Sequence, residues 1–163
     1  MIDNCLVTVV AELNEHLNNL YGLSSDSVVI SDIDPDEIVE EDADGRVLAT
    51  LINIEEDKLA TQKHSPTQKL VYLNLYILFS TSFARTKNTD ALKFISGVLS
   101  FFGNKPVFNS ENTPGLNPGI EKMSFDVYNL TFHEQSDMWN SLGANSRPAV
   151  LYKVYGVHVG APA

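Results

Sequence analysis

Apolar residues recur along this chain in two rhythms. Over 2 to 20, IDNCLVTVVAELNEHLNNL, Ile2, Leu6, Val9, Leu13, Leu17 and Leu20 fall at steps of three and four, with Glu12, Glu15 and Asn19 elsewhere on the wheel. That spacing predicts an amphipathic helix, with His16 a hydrogen-bonded residue at the border of its apolar stripe. A second helix is expected in NTDALKFISGVLSFFGNKP, with Asn88 or Thr89 as cap, a stripe of Leu92, Ile95, Leu99 and Phe102, and a stop at Gly103 before Pro106. Strands are expected in SVVIS (27 to 31), RVLATLINI (46 to 54), LVYLNLYILF (70 to 79), IEKMSFDVYNL (120 to 130) and PAVLYKVYGVHV (148 to 159). The stretch EEDKLATQKHSPTQK, with Pro66 near its end, reads as a polar link, and PVFNSENTPGLNPG as a run of turns.

The strand at 70 to 79 carries the most information about layering. Val71, Leu73, Leu75, Ile77 and Phe79 make one side wholly apolar, while Leu70, Tyr72, Asn74, Tyr76 and Leu78 make the other mixed. In IEKMSFDVYNL, Met123, Phe125 and Val127 oppose Ser124, Asp126 and Tyr128. A sheet built this way suits helices mainly on one face, its tyrosine-bearing face being wet or turned to a partner. The expectation is an α+β fold with a single mixed or largely antiparallel sheet, element order α-β-β-β-α-β-α-β, in one domain spanning residues 1 to 163.

Charge changes this picture at one place. Residues 1 to 60 carry fifteen acids against Arg46 and Lys58, a net of −13, and residues 61 to 163 carry six acids against nine bases, a net of +3. A nucleic-acid partner is disfavoured, since phosphate contact needs clustered Lys and Arg. The acids concentrate in DIDPDEIVEEDADG, where Asp32, Asp34, Asp36, Glu37, Glu40, Glu41, Asp42 and Asp44 leave only a loop as the reasonable conformation. Asp32, Asp34 and Asp36 match positions 1, 3 and 5 of an EF-hand loop, but Glu37 stands at position 6 and Ala43 at 12; with Gly45 as sixth, Leu51 is twelfth. The loop therefore reads as solvated carboxylates or as a surface for a basic partner, and changing Asp36, Glu37, Glu40 and Glu41 together to amides is expected to leave the fold unharmed.

Candidate chemistry is sparse. His133-Glu134-x-x-Asp137 resembles half of a zinc-hydrolase helix, in which two His one turn apart hold the metal and the Glu polarises water. His16, His64 and His158 stand at no spacing that supplies a further ligand. The same residues fit a helix start: Thr131 and Glu134 form a capping box, Gly143 takes the left-handed position after the last turn, and Trp139 pins the helix to the core. No nucleophile elbow, phosphate-cradling loop or cofactor motif is present. Cys5 is alone, which suits a reducing site of synthesis; no positive region precedes an apolar stretch as in a signal peptide, and no apolar run is long enough to span a bilayer.

LINIEED, YLNLYILFS, FFGNKPVFNSENTPGL, GIEKMSFDVYNLTFHEQSDMWNSLGA and PAVLYKVYGV, in this order, resemble the N-terminal domain family of the cap, or tail-terminator, proteins of extracellular contractile injection systems. The resemblance implies a terminator-like α/β subunit in a six-fold ring, a hexamer, on the baseplate-distal end of tube and sheath. Its partners would be itself, the tube and sheath proteins and a second cap protein, with no cofactor and no membrane insertion. Assembly in the cytoplasm into a released or anchored particle would follow. Members of that family often continue into a longer C-terminal region, whose role the resemblance makes absent here or held by a paralogue; the segment between Lys58 and Leu70 is short for the family. The acidic loop, with Tyr72, Asn74, Tyr76 and Tyr128, supplies candidate interface residues. A small metal-dependent hydrolase using His133, Glu134 and Asp137 is the alternative function.

Overall fold

The computed structural model describes residues 1–64 and 70–160. The long helix α1 (Ile2–Tyr21) buries Cys5, Leu6, Val9, Val10, Leu13, Asn14 and Leu17. Leu20, expected on the stripe, is exposed, and Tyr21 packs against the core in its place. The one buried polar residue of this stripe has a structural task. Asn14 donates through Nδ2 to Val28 O at 3.0 Å and accepts through Oδ1 from Ser27 N at 3.1 Å and Val28 N at 2.9 Å. A buried amide with its hydrogen bonds met fixes the position of what it holds, here the edge strand β1 (Val28–Ile30).

The sheet continues with β2 (Arg46–Glu56), β3 (Val71–Ser82), β4 (Val107–Asn109), β5 (Lys122–Val127) and β6 (Ala149–Val159). Its order is β1-β2-β3-β6-β5-β4; β1 runs parallel to β2 and every other neighbouring pair is antiparallel. This is the expected α+β fold with one mixed, largely antiparallel sheet. The edge strand β4 lies in the stretch expected to be turns only, since Phe108 is pulled fully into the core. The link after β2 is likewise not all coil. A short helix, α2 (Lys58–His64), forms where Asp57 accepts from Ala60 N at 3.0 Å through its carboxylate and from Thr61 N at 2.9 Å through its carbonyl. Pro66, expected near the end of this link, lies outside the described residues.

Two bulges bend the sheet, one in β2 between Leu51 and Asn53 and one opposite the Leu73–Leu75 step of β3. The second falls at Gly156, whose φ of 90° and tight approach to the Lys122 carbonyl admit no other residue without strain.

The helix α3 (Asn88–Asn104) lies beside α1 on the same side of the sheet. It follows a single 3-10 turn at Arg85–Lys87 and takes no side-chain cap, so neither Asn88 nor Thr89 caps it. Its buried stripe is Ala91, Ile95, Gly97, Val98, Phe101 and Phe102, while the expected Leu92 and Leu99 are exposed. Both readings fit a period of 3.6, and the choice went to the side with the two adjacent phenylalanines. Phe102 stacks on Phe125 at 4.6 Å between ring centroids and meets Tyr152 at 4.5 Å and Phe79 at 5.4 Å. The main core thus lies between these helices and the Leu73, Leu75, Ile77 and Phe79 side of β3.

Behind the sheet a smaller core joins Ile33, Leu48, Tyr76, Leu78, Leu151 and Trp139. Trp139 arrives on α4 (Phe132–Leu142), which packs on the mixed face of β3. Helices are therefore mainly, but not only, on one face. The expectation that the mixed face is wet fails at Asn74, Tyr76 and Leu78, which are 7%, 8% and 1% exposed, because α4 and the loop after β1 fold back over it.

Candidate interaction surfaces

Three groups of residues were candidates for chemistry or contact. At the start of α4, Thr131 Oγ1 accepts from Glu134 N and Glu134 Oε1 from Thr131 N, both at 3.2 Å, which closes the capping box. Gly143 ends the helix with φ 66°, as the sequence predicts. The Glu134 carboxylate is thereby engaged with the backbone. His133 and Asp137 approach to 3.4 Å with side chains 88% and 64% exposed, an i,i+4 surface pair. No cluster of three or more His, Cys, Asp or Glu able to hold a metal occurs among the described residues. His16 pairs with Ser100 Oγ at 3.3 Å, the hydrogen-bonded border position predicted for it, and His158 Nε2 with Gly119 O at 2.6 Å. The hydrolase geometry is not assembled: its proposed base caps a helix, and the His133 side chain is exposed.

The acidic loop divides into one carboxylate held by side chains and seven exposed ones, of which Asp34 accepts through Oδ1 from Asp36 N at 2.9 Å. Glu37 accepts from Arg46 Nη2 at 2.6 Å and from Ser82 Oγ at 2.8 Å, with its side chain only 18% exposed. Partial burial works against its charge, but the hydrogen bonds from Arg46 and Ser82 and the charges of Arg46 and Arg147 outweigh it and hold the carboxyl below its ordinary range. Ile33 is buried in the small core two residues before Pro35, and Lys87 Nζ donates to Ala43 O at 3.5 Å. Asp32, Asp34, Asp36, Glu40, Glu41, Asp42 and Asp44 are exposed. Glu37 is thus a structural pin, so the expectation that amides at Asp36, Glu37, Glu40 and Glu41 leave the fold untouched is corrected at that position. Between the loop and the β3–α3 turn opens a cleft of about 780 Å³, lined among others by Glu37, Ile38, Ser82, Arg85 and Arg147.

The tyrosine-bearing face is split. Tyr76 donates to Glu55 Oε1 at 2.8 Å and packs edge-on against Tyr128 at 5.2 Å. Glu55 also accepts from Asn74 Nδ2 at 3.2 Å and lies 3.8 Å from Lys153 Nζ. These hydrogen bonds, from Tyr76 first and then Asn74, lower the Glu55 carboxyl pKa, while burial and then Glu55 itself raise that of the Tyr76 phenol. Tyr72 is half-buried and stacks near His158 at 5.1 Å. Of the four residues proposed for contact on this face, only Tyr128, at 38%, is exposed.

One feature was missed by sequence reasoning. In the first turn of α4 Phe132 is 89% exposed, and Val127 at 46% and Tyr128 are exposed as well. Between this turn and the start of β6 lies a groove of about 360 Å³, whose lining contains no charged side chain. The available signal was Phe132 itself, seven residues before Trp139 on the same stripe but in the capping turn.

Residues 6–162 match the family model described as the Pvc16 N-terminal domain. Among solved structures, the chain is similar to the sheath/tube terminator of the PVC extracellular contractile injection system in its extended state, with TM-score 0.68 and 17% identity over 99% of this chain and 57% of that one. It is also similar to the anti-feeding prophage cap, a tube-terminating cap, with TM-score 0.54 and 15% identity over 93% of this chain and 56% of that one. At such identities the likeness is one of fold, and the chain spans just over half the length of either structure. No curated protein sequence matches the chain. No helix among the described residues is long and apolar enough to cross a membrane.

Proposed function

The chain belongs to the Pvc16 N-terminal domain family, and on that premise we propose that it is a structural cap of a contractile injection system, forming a homo-hexameric ring on the baseplate-distal end of tube and sheath and ending their growth. The observation that carries this reading is the family match over nearly the whole chain, joined to a fold shared with two terminators that cap such particles. Tube and sheath are open heterologous assemblies, which grow because each ring exposes the surface that the next one binds. A cap has to match that surface on one side and offer nothing equivalent on the other. The role asks for surfaces of different character and for no catalytic residue. The seven exposed carboxylates of the loop would face basic groups of a neighbouring subunit, tube or sheath, and Tyr128 would contribute a contact that is apolar in body and polar at its tip. The subunit would be assembled in the cytoplasm and leave with the particle or remain anchored with it, alongside a second cap protein. Imaging particles from a strain lacking this chain tests the proposal. Particles of uncontrolled length, or fragile ones that lose their distal end, are expected; stable particles of normal length would overturn it.

A further inference from the structure

We propose that the groove beside Phe132 takes an extended, basic segment of another protein, which adds as a strand to the open edge of β6 and gives a backbone carbonyl to the indole N–H of Trp139. The inference goes beyond the cap reading and stands without it, since it names the kind of chain that the groove holds and not the particle that chain belongs to. The backbone of β6 opens the slot. Thr81 N donates to Pro148 O at 3.2 Å and Val150 stands opposite Phe79, so residues 148 and 150 turn their peptide groups to β3 and Ala149 turns its N–H and C=O to the other side. On that side β5 pairs with Tyr152–Tyr155, adds one bond from Tyr128 N to Leu151 O at 2.8 Å, and then leaves for α4. Ala149, which lines the groove, thus presents a strand edge that meets no partner among the described residues.

The comparable edge of β4 is closed by the chain itself. Asn112 Nδ2 donates to Val107 O and Asn112 Oδ1 accepts from Asn109 N, both at 2.9 Å, which meets the groups that β4 turns away from β5. No side chain does this for Ala149, and an uncovered edge accepts an added strand through main-chain hydrogen bonds. The side chains of the groove ask for the same occupant. Trp139 lines it and is 3% exposed, yet its Nε1 has no acceptor among the described residues. A buried donor left unmet is costly, and an added strand brings a carbonyl with every residue, which an apolar side chain alone does not.

The lining is polar and apolar by turns, as a peptide requires. The carboxamides of Asn129 and Gln135 are exposed in it and suit peptide groups, while Leu78, Leu130, Phe132 and Met138 offer apolar walls to alternate side chains of a strand. Charge selects the sign of the segment. From residue 123 to 146 the chain carries Asp126, Glu134 and Asp137, all exposed, and no Lys or Arg. The cations at the borders are engaged, Lys153 by Glu55 at 3.8 Å, and Arg147 by the Trp139 ring at 5.8 Å and by Asn145 O at 3.2 Å. A strand with apolar residues turned to the groove and Lys or Arg turned to this acidic rim complements both.

Trp139 is the only tryptophan of the chain, so its indole N–H gives a single resonance in a proton–nitrogen correlation spectrum. The probe is a short, end-capped peptide of alternating valine and lysine, titrated into the full chain. The indole resonance should move downfield as it gains an acceptor, and the amides of Ala149 and Leu151 should move with it. The same peptide methylated on every backbone nitrogen cannot pair as a strand and should leave the spectrum unchanged; a valine and glutamate peptide should bind at least about tenfold more weakly. Trp139→Phe keeps a ring in the small core without the donor and should weaken binding roughly tenfold. Phe132→Ala, at an exposed position, should keep the melting temperature and weaken binding as well. An indole resonance that stays in place, equal binding of the methylated or the acidic peptide, or unchanged affinity in Trp139→Phe overturns the proposal. Self-association of the parent that Phe132→Ala abolishes, with no response to the peptide, assigns the groove to a second copy and overturns it too.

Discussion

One face of the sheet is closed by two long helices over a cluster of phenylalanines, and the other by the eleven-residue α4 together with a loop of carboxylates. The first face is continuous and apolar within, its contacts made by rings and aliphatic side chains around Asn14, with polar pairs at its border in His16–Ser100, Tyr21–Lys93 and Glu12–Lys105. The second is assembled from returns of the chain, each with one apolar anchor, Ile33 or Trp139, and with a polar fastening in the Glu37 pair and the Thr131 capping box. The difference separates two tasks. Burial on the helical face sets global stability, whereas the second face can loosen or be contacted piecemeal, and it carries the free carboxylates, the exposed tyrosine and the apolar groove.

Truncating a ring on each face should expose that contrast. Phe102→Ala is expected to cost about 4–5 kcal/mol, since Phe102 is 2% exposed and touches rings from β3, β5 and β6. Denaturant unfolding should show the loss as a lower midpoint of the single transition. Trp139→Ala should cost less, about 3 kcal/mol, because its contacts lie in the smaller core and the indole N–H has no acceptor to lose. Hydrogen exchange should then quicken in residues 132–142 and stay slow in β3. Equal costs, or exchange that quickens everywhere, would mean that the two faces form one cooperative unit.

The Glu37 pin gives a smaller effect with a pH signature. Its carboxyl is held below the ordinary value of 4.5, so the stability it supplies is present above that value and is lost as pH falls through the depressed one. Glu37→Gln removes the ionic part of the contact with Arg46 and Ser82 and should cost about 1–2 kcal/mol at neutral pH. The variant should also lose less stability than the parent on acidification below 4.5. Parallel stability curves for the two proteins across that window would show that the loop is held by Ile33 alone.

What the sequence revealed follows the same division. Alternation in β3 and β5 and the 3.6 period of α1 made the helical face legible, because each depends on residues near one another in the chain. The capping box at Thr131 and Glu134 was equally local, and it identified α4 and its end at Gly143. The covering of Asn74, Tyr76 and Leu78 was not legible, since it depends on Ile33 and Trp139 returning from distant segments. Glu37 looked like its seven acidic neighbours; its meetings with Arg46 and with Ser82, 45 residues away, set it apart. The stripe of α3 was ambiguous for a different reason, as Leu92 and Leu99 satisfy the helical period as well as Ala91 and Val98 do.

The smallest expected effect concerns the free carboxylates and sharpens the comparison by leaving the fold out of it. Asp36, Glu40 and Glu41 are exposed, so their conversion to Asn and Gln should change folding stability by no more than about 0.5 kcal/mol. Any consequence must then appear in association. Charges at the edge of a contact act mainly on encounter, raising the on-rate at low ionic strength, and this advantage fades as the screening length shortens to about 8 Å at physiological salt. Docking of the triple variant onto capless particles should therefore be slower than that of the parent at low salt and should converge with it as salt is added. Glu37 has to be kept in this experiment, since its loss would loosen the loop and confuse steering with folding. If parent and variant dock at equal rates at low salt, the seven carboxylates are a solvated surface and the basic partner should be dropped. If they differ equally at all salt concentrations, the loop acts through contact, and its place is inside the interface.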